Sequence, residues 1–213
     1  MVSVRKIALV AVALVAVALA AYALYTYTGA PKAPREAEKP LKGMKVLFIV
    51  SFRNFRDEEL KAPLELLKEL GAEAYIASTQ KGVARGMLGM LVDVNLTLSE
   101  VDVSKFDAIV FIGGRGTPKY LWRNPEAVRI AKEAYEEGKV VAAICLAPGV
   151  LAEAGILKGK RATAYHTAKQ MLIEYGAEYV SEKVVVEGKI VTAMGPEAAE
   201  EFAEAIAKLL SGG

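Results

Sequence analysis

The residue best suited to covalent chemistry is Cys145, the only cysteine among 213 residues. It follows an apolar run, residues 139–144, that is typical of a buried strand, and a short helix is predicted shortly after it. A thiol at a strand-to-helix turn lies near the positive end of the helix dipole, which favours the thiolate. We therefore expect Cys145 to be either a reactive nucleophile or a small buried apolar residue, which is the usual role of a free cysteine.

The second titratable candidate is His166, the only histidine. Its unperturbed pKa near neutrality suits a general acid–base, although a loop histidine with no role fits the sequence equally well. One cysteine and one histidine are too few for a standard zinc site. The glycine loop at residues 113–116 matches neither a dinucleotide fingerprint nor a phosphate loop. The sequence therefore predicts neither a metal nor a cofactor.

Strand-like apolar runs alternate with helical segments beyond residue 44. The predicted strands include residues 44–50, 74–78, 107–112 and 139–144, and the predicted helices include residues 57–70, 125–137 and 196–210. This alternation indicates an α/β fold with a mainly parallel sheet covered on both faces. Ligands of such sheets bind beyond the carboxyl ends of the strands. Glu59, the glycine loop and Cys145 all come shortly after strand ends, so one cleft could hold all three.

Four segments together resemble one known family. They are A-A-I-C-L-A-P-G-V-L-A-E-A-G-I-L around Cys145, F-I-G-G-R-G in the glycine loop, D-E-E-L-K-A-P around Glu59, and V-T-A-M-G-P-E-A-A-E-E-F-A before the last helix. In this order they resemble the ThiJ/PfpI family of the class I glutamine-amidotransferase-like superfamily. That family includes relatives of the Parkinson-associated protein deglycase and PfpI-type intracellular peptidases. The likeness covers about residues 44–210.

The resemblance implies a flavodoxin-like three-layer sandwich, a homo-oligomer and a set of site residues. Cys145 would be the nucleophile, and Glu59 would be a partly buried acid that hydrogen-bonds the sulfur. The backbone N–H groups of Gly114 and Leu146 would form an oxyanion hole. The alternatives are that Glu59 only complements the helix dipole and that the glycines only serve a tight turn.

Three positions depart from the family pattern. Leu146 stands where the peptidase branch has a histidine directly after the cysteine, so the Cys–His pairing of that branch is absent. Tyr165 stands where the deglycase branch has a histidine, and His166 follows one residue later. Met194 replaces an arginine of that branch.

From these features we expect a cysteine-dependent enzyme that acts on a small carbonyl compound, like a glyoxalase or deglycase, with Cys145, Glu59 and His166 as catalytic residues. The alternatives are a PfpI-type peptidase or amidase acting on peptides, and a non-catalytic redox sensor or chaperone whose cysteine is oxidised to a sulfinate. Nucleic acid is not an expected partner, because no basic stripe with interleaved aromatic residues occurs. Residues 1–43 hold six Lys/Arg and two Asp/Glu, which leaves 21 basic and 23 acidic residues in the domain.

The N-terminal segment differs in composition from the rest. Residues 7–27 carry no charge and are long enough for a helix to cross a bilayer, and Arg5 and Lys6 precede them. We therefore expect a single-pass membrane protein whose domain is extracytoplasmic. The alternative is a signal peptide cleaved near residues 18–20, which would give a secreted protein.

The expected domain organisation has three parts. Residues 1–28 form the anchor or transmembrane helix, residues 29–43 form a linker rich in proline and charge, and residues 44–213 form the ThiJ/PfpI-like domain. Three Asn and two Gln against 18 Lys also suggest a thermophilic source.

Overall fold

The computed structural model describes residues 4–27 and 39–212, and within the first helix it describes the side chains of residues 14–25. Contacts divide the chain into two compact units, residues 1–38 and 39–213. Of the predicted linker, residues 29–38 lie outside the described residues. Residues 40–43 form a turn in which Leu41 is fully buried and donates its N–H to the carbonyl of Leu70 at 3.0 Å.

The first unit contains helix α1, Val4–Tyr27. Its described side chains, residues 14–25, are exposed. Among the described residues, no helix combines the length and the apolar character needed to cross a membrane. The prediction of a transmembrane helix over residues 7–27 is therefore wrong, and so are the membrane partner and the membrane location inferred from it.

The second unit is built from short strands. In chain order the described strands are β1 (Lys45–Ile49), β2 (Arg53–Phe55), β3 (Glu73–Ser78), β4 (Gly82–Gly86), β5 (Leu91–Val94), β6 (Leu96–Thr97), β7 (Ala108–Phe111), β8 (Val140–Ile144), β9 (Arg161–Ala162), β10 (Glu178–Tyr179), β11 (Val184–Glu187) and β12 (Ile190–Ala193). Seven of them form the main sheet in the order β11-β12-β8-β7-β1-β3-β6. All neighbours in this sheet are parallel except the β11–β12 hairpin.

Helices cover both faces of the main sheet. They are α2 (Asp57–Glu69), α3 (Thr117–Tyr120), α4 (Pro125–Glu136), α5 (Pro148–Glu153), α6 (Lys169–Glu174) and α7 (Ala199–Leu210). Because successive strand residues point to opposite faces, Phe48 packs in one core with Leu60 and Phe202, whereas Leu47 packs in the other with Ile130. The first core lies under α2 and α7, and the second lies under α4, α5 and α6. The predicted flavodoxin-like three-layer sandwich is thus confirmed.

Two features of this fold position the site. The parallel strands β1, β7, β8 and β12 end at the same edge of the sheet, so the segments after them converge there. In addition, β2, β4 and β5 form a separate three-stranded sheet, in which residues 87–90 connect β4 to β5. This hairpin connection reaches the same edge.

Candidate active site

Cys145 directly follows strand β8 and adopts a left-handed backbone conformation, with φ of +64°. This conformation costs a residue other than glycine about 1–3 kcal/mol and persists only where the surroundings enforce it. Here the Cys145 N–H donates to the carbonyl of Ala193 and the Cys145 carbonyl accepts the N–H of Tyr165, each at 2.9 Å. The turn directs the thiol towards the carboxyl edge of the sheet, where the residue is only 8% exposed.

Glu59 lies in the first turn of α2 and is fully buried. Its Oε2 accepts the N–H of Gly113 at 3.1 Å, and the carboxyl group faces the thiol of Cys145. Apart from the Cys145 thiol, Oε1 of Glu59 has no hydrogen-bond partner among the described residues. Burial raises the pKa of Glu59 to about 8, although the Cys145 thiol, the Gly113 N–H and the charge of Arg56 lower it in part. At neutral pH the carboxyl group is therefore mainly protonated.

Burial also raises the pKa of the Cys145 thiol, and the charge and hydrogen bond of Glu59 raise it further. The backbone N–H groups of Gly114 and Leu146 hydrogen-bond the sulfur and lower its pKa in part. The repulsion from Glu59 requires an ionised carboxylate, so it vanishes while Glu59 keeps its proton. The sequence-based expectation of a thiolate took into account only the dipole of the helix that follows Cys145, which lowers the pKa of the thiol. That helix, α5, has six residues and begins three positions after Cys145, so burial outweighs it.

The glycine loop after β7 leaves no space for side chains. A Cβ atom on Gly113 would lie 2.6 Å from both the Glu59 Oε2 and the Cys145 Cβ. A Cβ atom on Gly114 would lie 2.5 Å from the backbone nitrogen of Arg56 and from the carbonyl oxygen of Asn54. The loop therefore lets Glu59, Cys145 and the backbone before α2 approach one another closely.

A pocket of about 380 Å³ opens over this cluster. Residues from several segments line it: Arg56, Glu59, Met87, Gly114, Arg115, Cys145, Leu146, Tyr165, Pro196 and Glu197. A larger groove of about 470 Å³ lies between α2 and α7 but contains none of the predicted site residues. We place the candidate site in the smaller pocket, because the thiol and the protonated carboxyl group meet there.

His166 is not among the residues that line the pocket. It is exposed, in the short 3₁₀ turn His166–Ala168, and its ring lies 4.3 Å from that of Tyr165, centroid to centroid. Tyr165 is the residue at the pocket. The structure therefore brings together four of the predicted residues, Cys145, Glu59, Gly114 and Leu146, and leaves His166 outside. Within residues 4–27 and 39–212, no group of three or more His, Cys, Asp or Glu residues could hold a metal ion.

Sequence reasoning missed two further residues at the site. Trp122 donates its Nε1–H to the carbonyl oxygen of Leu146 at 2.9 Å and so fixes the turn that carries Cys145. The sequence offered one clue to Trp122, since it is the only tryptophan in the chain. Met87 lines the pocket from the connection between β4 and β5, and nothing in the local sequence marked it.

Comparisons with known proteins identify the family. The family model for the DJ-1/PfpI family matches residues 44–209. Deglycase PfpI of Pyrococcus furiosus is 44% identical, over 72% of this chain and 91% of its own length. YraA of Bacillus subtilis, provisionally named a cysteine protease, is 33% identical, over 74% of this chain and 94% of its own. The solved structure of a ThiJ/PfpI domain protein from Brachyspira murdochii has a TM-score of 0.77 and 35% identity, covering 80% of this chain and 98% of that one. Relatives with these names support an enzyme of the DJ-1/PfpI kind. The chain belongs to the DJ-1/PfpI family, as its resemblance to ThiJ/PfpI proteins predicted.

Proposed function

We propose that this protein is a cysteine-dependent enzyme that acts on a small carbonyl compound, in the manner of a glyoxalase or deglycase. The observation that carries the proposal is the protonated carboxyl group of Glu59 against the sulfur of Cys145 in one pocket. A thiol supplies a nucleophile, and a neighbouring acid with a pKa near 8 can both donate and accept a proton near neutral pH. The names of the deglycase relatives point in the same direction.

The pair loses its first proton from Glu59 near pH 8. The Glu59 carboxylate then takes the Cys145 proton as the sulfur attacks, so that negative charge develops on sulfur beside the Gly114 and Leu146 N–H groups. The thiolate electron pair forms a bond to the aldehyde carbon of a 2-oxoaldehyde. The carbonyl oxygen takes the Glu59 proton, which gives a hemithioacetal. Glu59 then takes the proton from the aldehyde carbon, the hydroxyl proton moves to the neighbouring carbonyl oxygen, and Glu59 returns its proton to the adjacent carbon, which leaves the thioester of a 2-hydroxy acid. Water hydrolyses the thioester to a 2-hydroxy acid and restores the thiol.

Peptide hydrolysis ranks second because no histidine, the usual general acid–base of a cysteine peptidase, is among the residues that line the pocket. In the acyl reaction the same thiolate would attack an amide, and the leaving amine would need a proton from a group such as an imidazole. Leu146 lines the pocket at the position after the cysteine, and its side chain carries no titratable group. His166, the only histidine, lies outside the pocket in the described structure.

The test is to follow consumption of methylglyoxal by purified protein, together with cleavage of an unstructured peptide. We expect consumption of methylglyoxal that is lost in Cys145→Ala, and little or no peptide cleavage. Peptide cleavage that depends on Cys145 would rank the peptidase reaction above the reaction with small carbonyl compounds. If no dicarbonyl is consumed, and dilute peroxide converts Cys145 cleanly to a stable sulfinate, the protein is a redox sensor instead.

A further inference from the structure

The connection between β4 and β5 is tied to the first turn of α2 through Asp57. The Leu88 N–H donates to Asp57 Oδ2 at 2.9 Å, and the Met90 N–H donates to Asp57 Oδ1 at 2.7 Å. Asp57 is buried, so both hydrogen bonds are partly shielded from water. Backbone N–H groups that donate to a carboxylate form charge-assisted hydrogen bonds, which are stronger than neutral ones. The carboxylate therefore holds the connection in one place.

The fit around this carboxylate is close. A Cβ atom on Gly86 would lie 2.6 Å from Asp57 Cγ and Oδ1, so the chain passes directly over the group. The Gly86 N–H also donates to the carbonyl of Met90 at 2.8 Å, which closes the turn. A carboxylate that only complemented the helix dipole would not need such an enclosure.

Met87 lies inside this enclosed turn and forms part of the pocket wall. Its N–H donates to the carbonyl of Phe55 at 2.9 Å, and its sulfur accepts the backbone N–H of Arg115 at 3.5 Å. The side chain is half-buried and lines the pocket that holds Cys145. An unbranched methionine adapts readily to its surroundings, so the position of its backbone decides how much of the pocket it fills.

We propose that Met87 is a specificity-determining residue that limits the width of substrates reaching Cys145, and that Asp57 is the positioning residue that holds Met87 there. This inference rests on the proposed function, because it names the substrates of the same pocket. They are narrow carbonyl compounds with a small or linear substituent. Bulky aromatic dicarbonyls are excluded.

The test uses the single thiol as a reporter, which makes it independent of turnover. Cys145 is alkylated with N-methylmaleimide and with N-phenylmaleimide, whose substituents differ in width. Each variant is compared with wild type, so that the different intrinsic reactivities of the two reagents cancel. Both reagents react with the same thiolate, so the ratio of their rate constants does not depend on the fraction of Cys145 that is ionised. We expect Met87→Ala and Asp57→Asn each to raise the relative rate of the phenyl reagent by about fivefold, roughly the equilibrium factor of one hydrogen bond. The double variant should show no further gain, because both changes act on one wall.

Two controls make the result specific. Met87→Leu, of similar volume, should keep the wild-type ratio. Asp102→Asn, in which the changed carboxylate accepts the Ser104 N–H away from the pocket, should also keep it. The same variants are then compared for kcat/KM with methylglyoxal and phenylglyoxal. Met87→Ala should favour phenylglyoxal.

An unchanged maleimide ratio in Met87→Ala would overturn the role of Met87. A change in Met87→Ala without one in Asp57→Asn would overturn the positioning role of Asp57. So would loss of cooperative unfolding in Asp57→Asn, since the carboxylate would then serve the whole fold. If no variant consumes either dicarbonyl, the proposed function fails, yet the maleimide ratios still decide whether Met87 and Asp57 shape the pocket.

Discussion

Glu59 and Cys145 meet at Gly113, where a Cβ atom would lie 2.6 Å from both the carboxyl Oε2 and the cysteine Cβ. Burial raises the pKa of both groups. The two groups also interact, since the charge and hydrogen bond of Glu59 raise the pKa of Cys145, so their protonation states depend on each other. The pair holds its protons at low pH and gives up the first of them near pH 8. This coupling leads to two pH-dependent predictions.

The first prediction concerns activity. The kcat/KM for methylglyoxal should rise with pH and level off above about 8, as the pair loses its first proton. Glu59→Gln cannot shuttle this proton, so its kcat/KM should fall by about 10²–10⁴-fold, and the inflection near 8 should disappear. A pH profile measured between 6 and 9 checks both. An unchanged inflection in the variant would mean that another group titrates there.

The second prediction concerns stability. The unfolded chain releases the Glu59 proton near pH 4.5, whereas the native state keeps it until about pH 8. The native state therefore binds more protons in between, and the free energy of unfolding falls as pH rises through that window. The loss is at most about 5 kcal/mol.

Urea unfolding at pH 5, 6, 7 and 8 measures this effect. Glu59→Gln should gain stability relative to wild type with each step in pH. The matched control is Glu65→Gln, on an exposed position of the same helix, and its difference from wild type should stay constant. Parallel curves for wild type and Glu59→Gln would contradict a raised Glu59 pKa.

The third prediction concerns the different contributions of Tyr165 and His166 to catalysis. His166 is exposed and outside the pocket, so His166→Ala should leave kcat and KM within about twofold of wild type. Tyr165→Ala should raise KM, because its ring forms part of the pocket wall. Steady-state kinetics with methylglyoxal check both variants. A loss of 10²-fold or more in His166→Ala would instead indicate a general acid–base that reaches the substrate.

The fourth prediction concerns the glycine loop. Gly114 has φ of +113° and no space for a Cβ atom, whereas Gly89 has φ of +105° and no atom within 4 Å of that position. Both alanine variants carry similar backbone strain, so their difference isolates crowding. Gly114→Ala should lower the free energy of unfolding by about 1–3 kcal/mol more than Gly89→Ala. Equal losses in urea unfolding would show that the loop can move away from residues 54–56.

The sequence by itself determined the architecture and the position of Cys145 at the carboxyl edge of the sheet. Continuous apolar runs such as residues 44–50 and 139–144 are typical of strands covered on both faces, and parallel strands bring their succeeding loops to one edge of the sheet. Cys145 and the glycine loop could therefore be assigned to one cleft before the structure. Local sequence patterns were enough for this assignment, because strand formation and the position of the loop after a strand depend mainly on residues close together in the chain.

The tertiary structure decided the properties that depend on residues far apart in the chain. The pKa values of Glu59 and Cys145 result from burial, which no local pattern expresses. Met87 reaches the pocket only because Asp57 binds a connection about 30 residues further along the chain. His166 and Tyr165 are neighbours in sequence, but the hydrogen bond from the Tyr165 N–H to Cys145 brings only Tyr165 to the pocket. Side-chain direction and desolvation arise from packing between distant segments, so they had to be read from the folded chain.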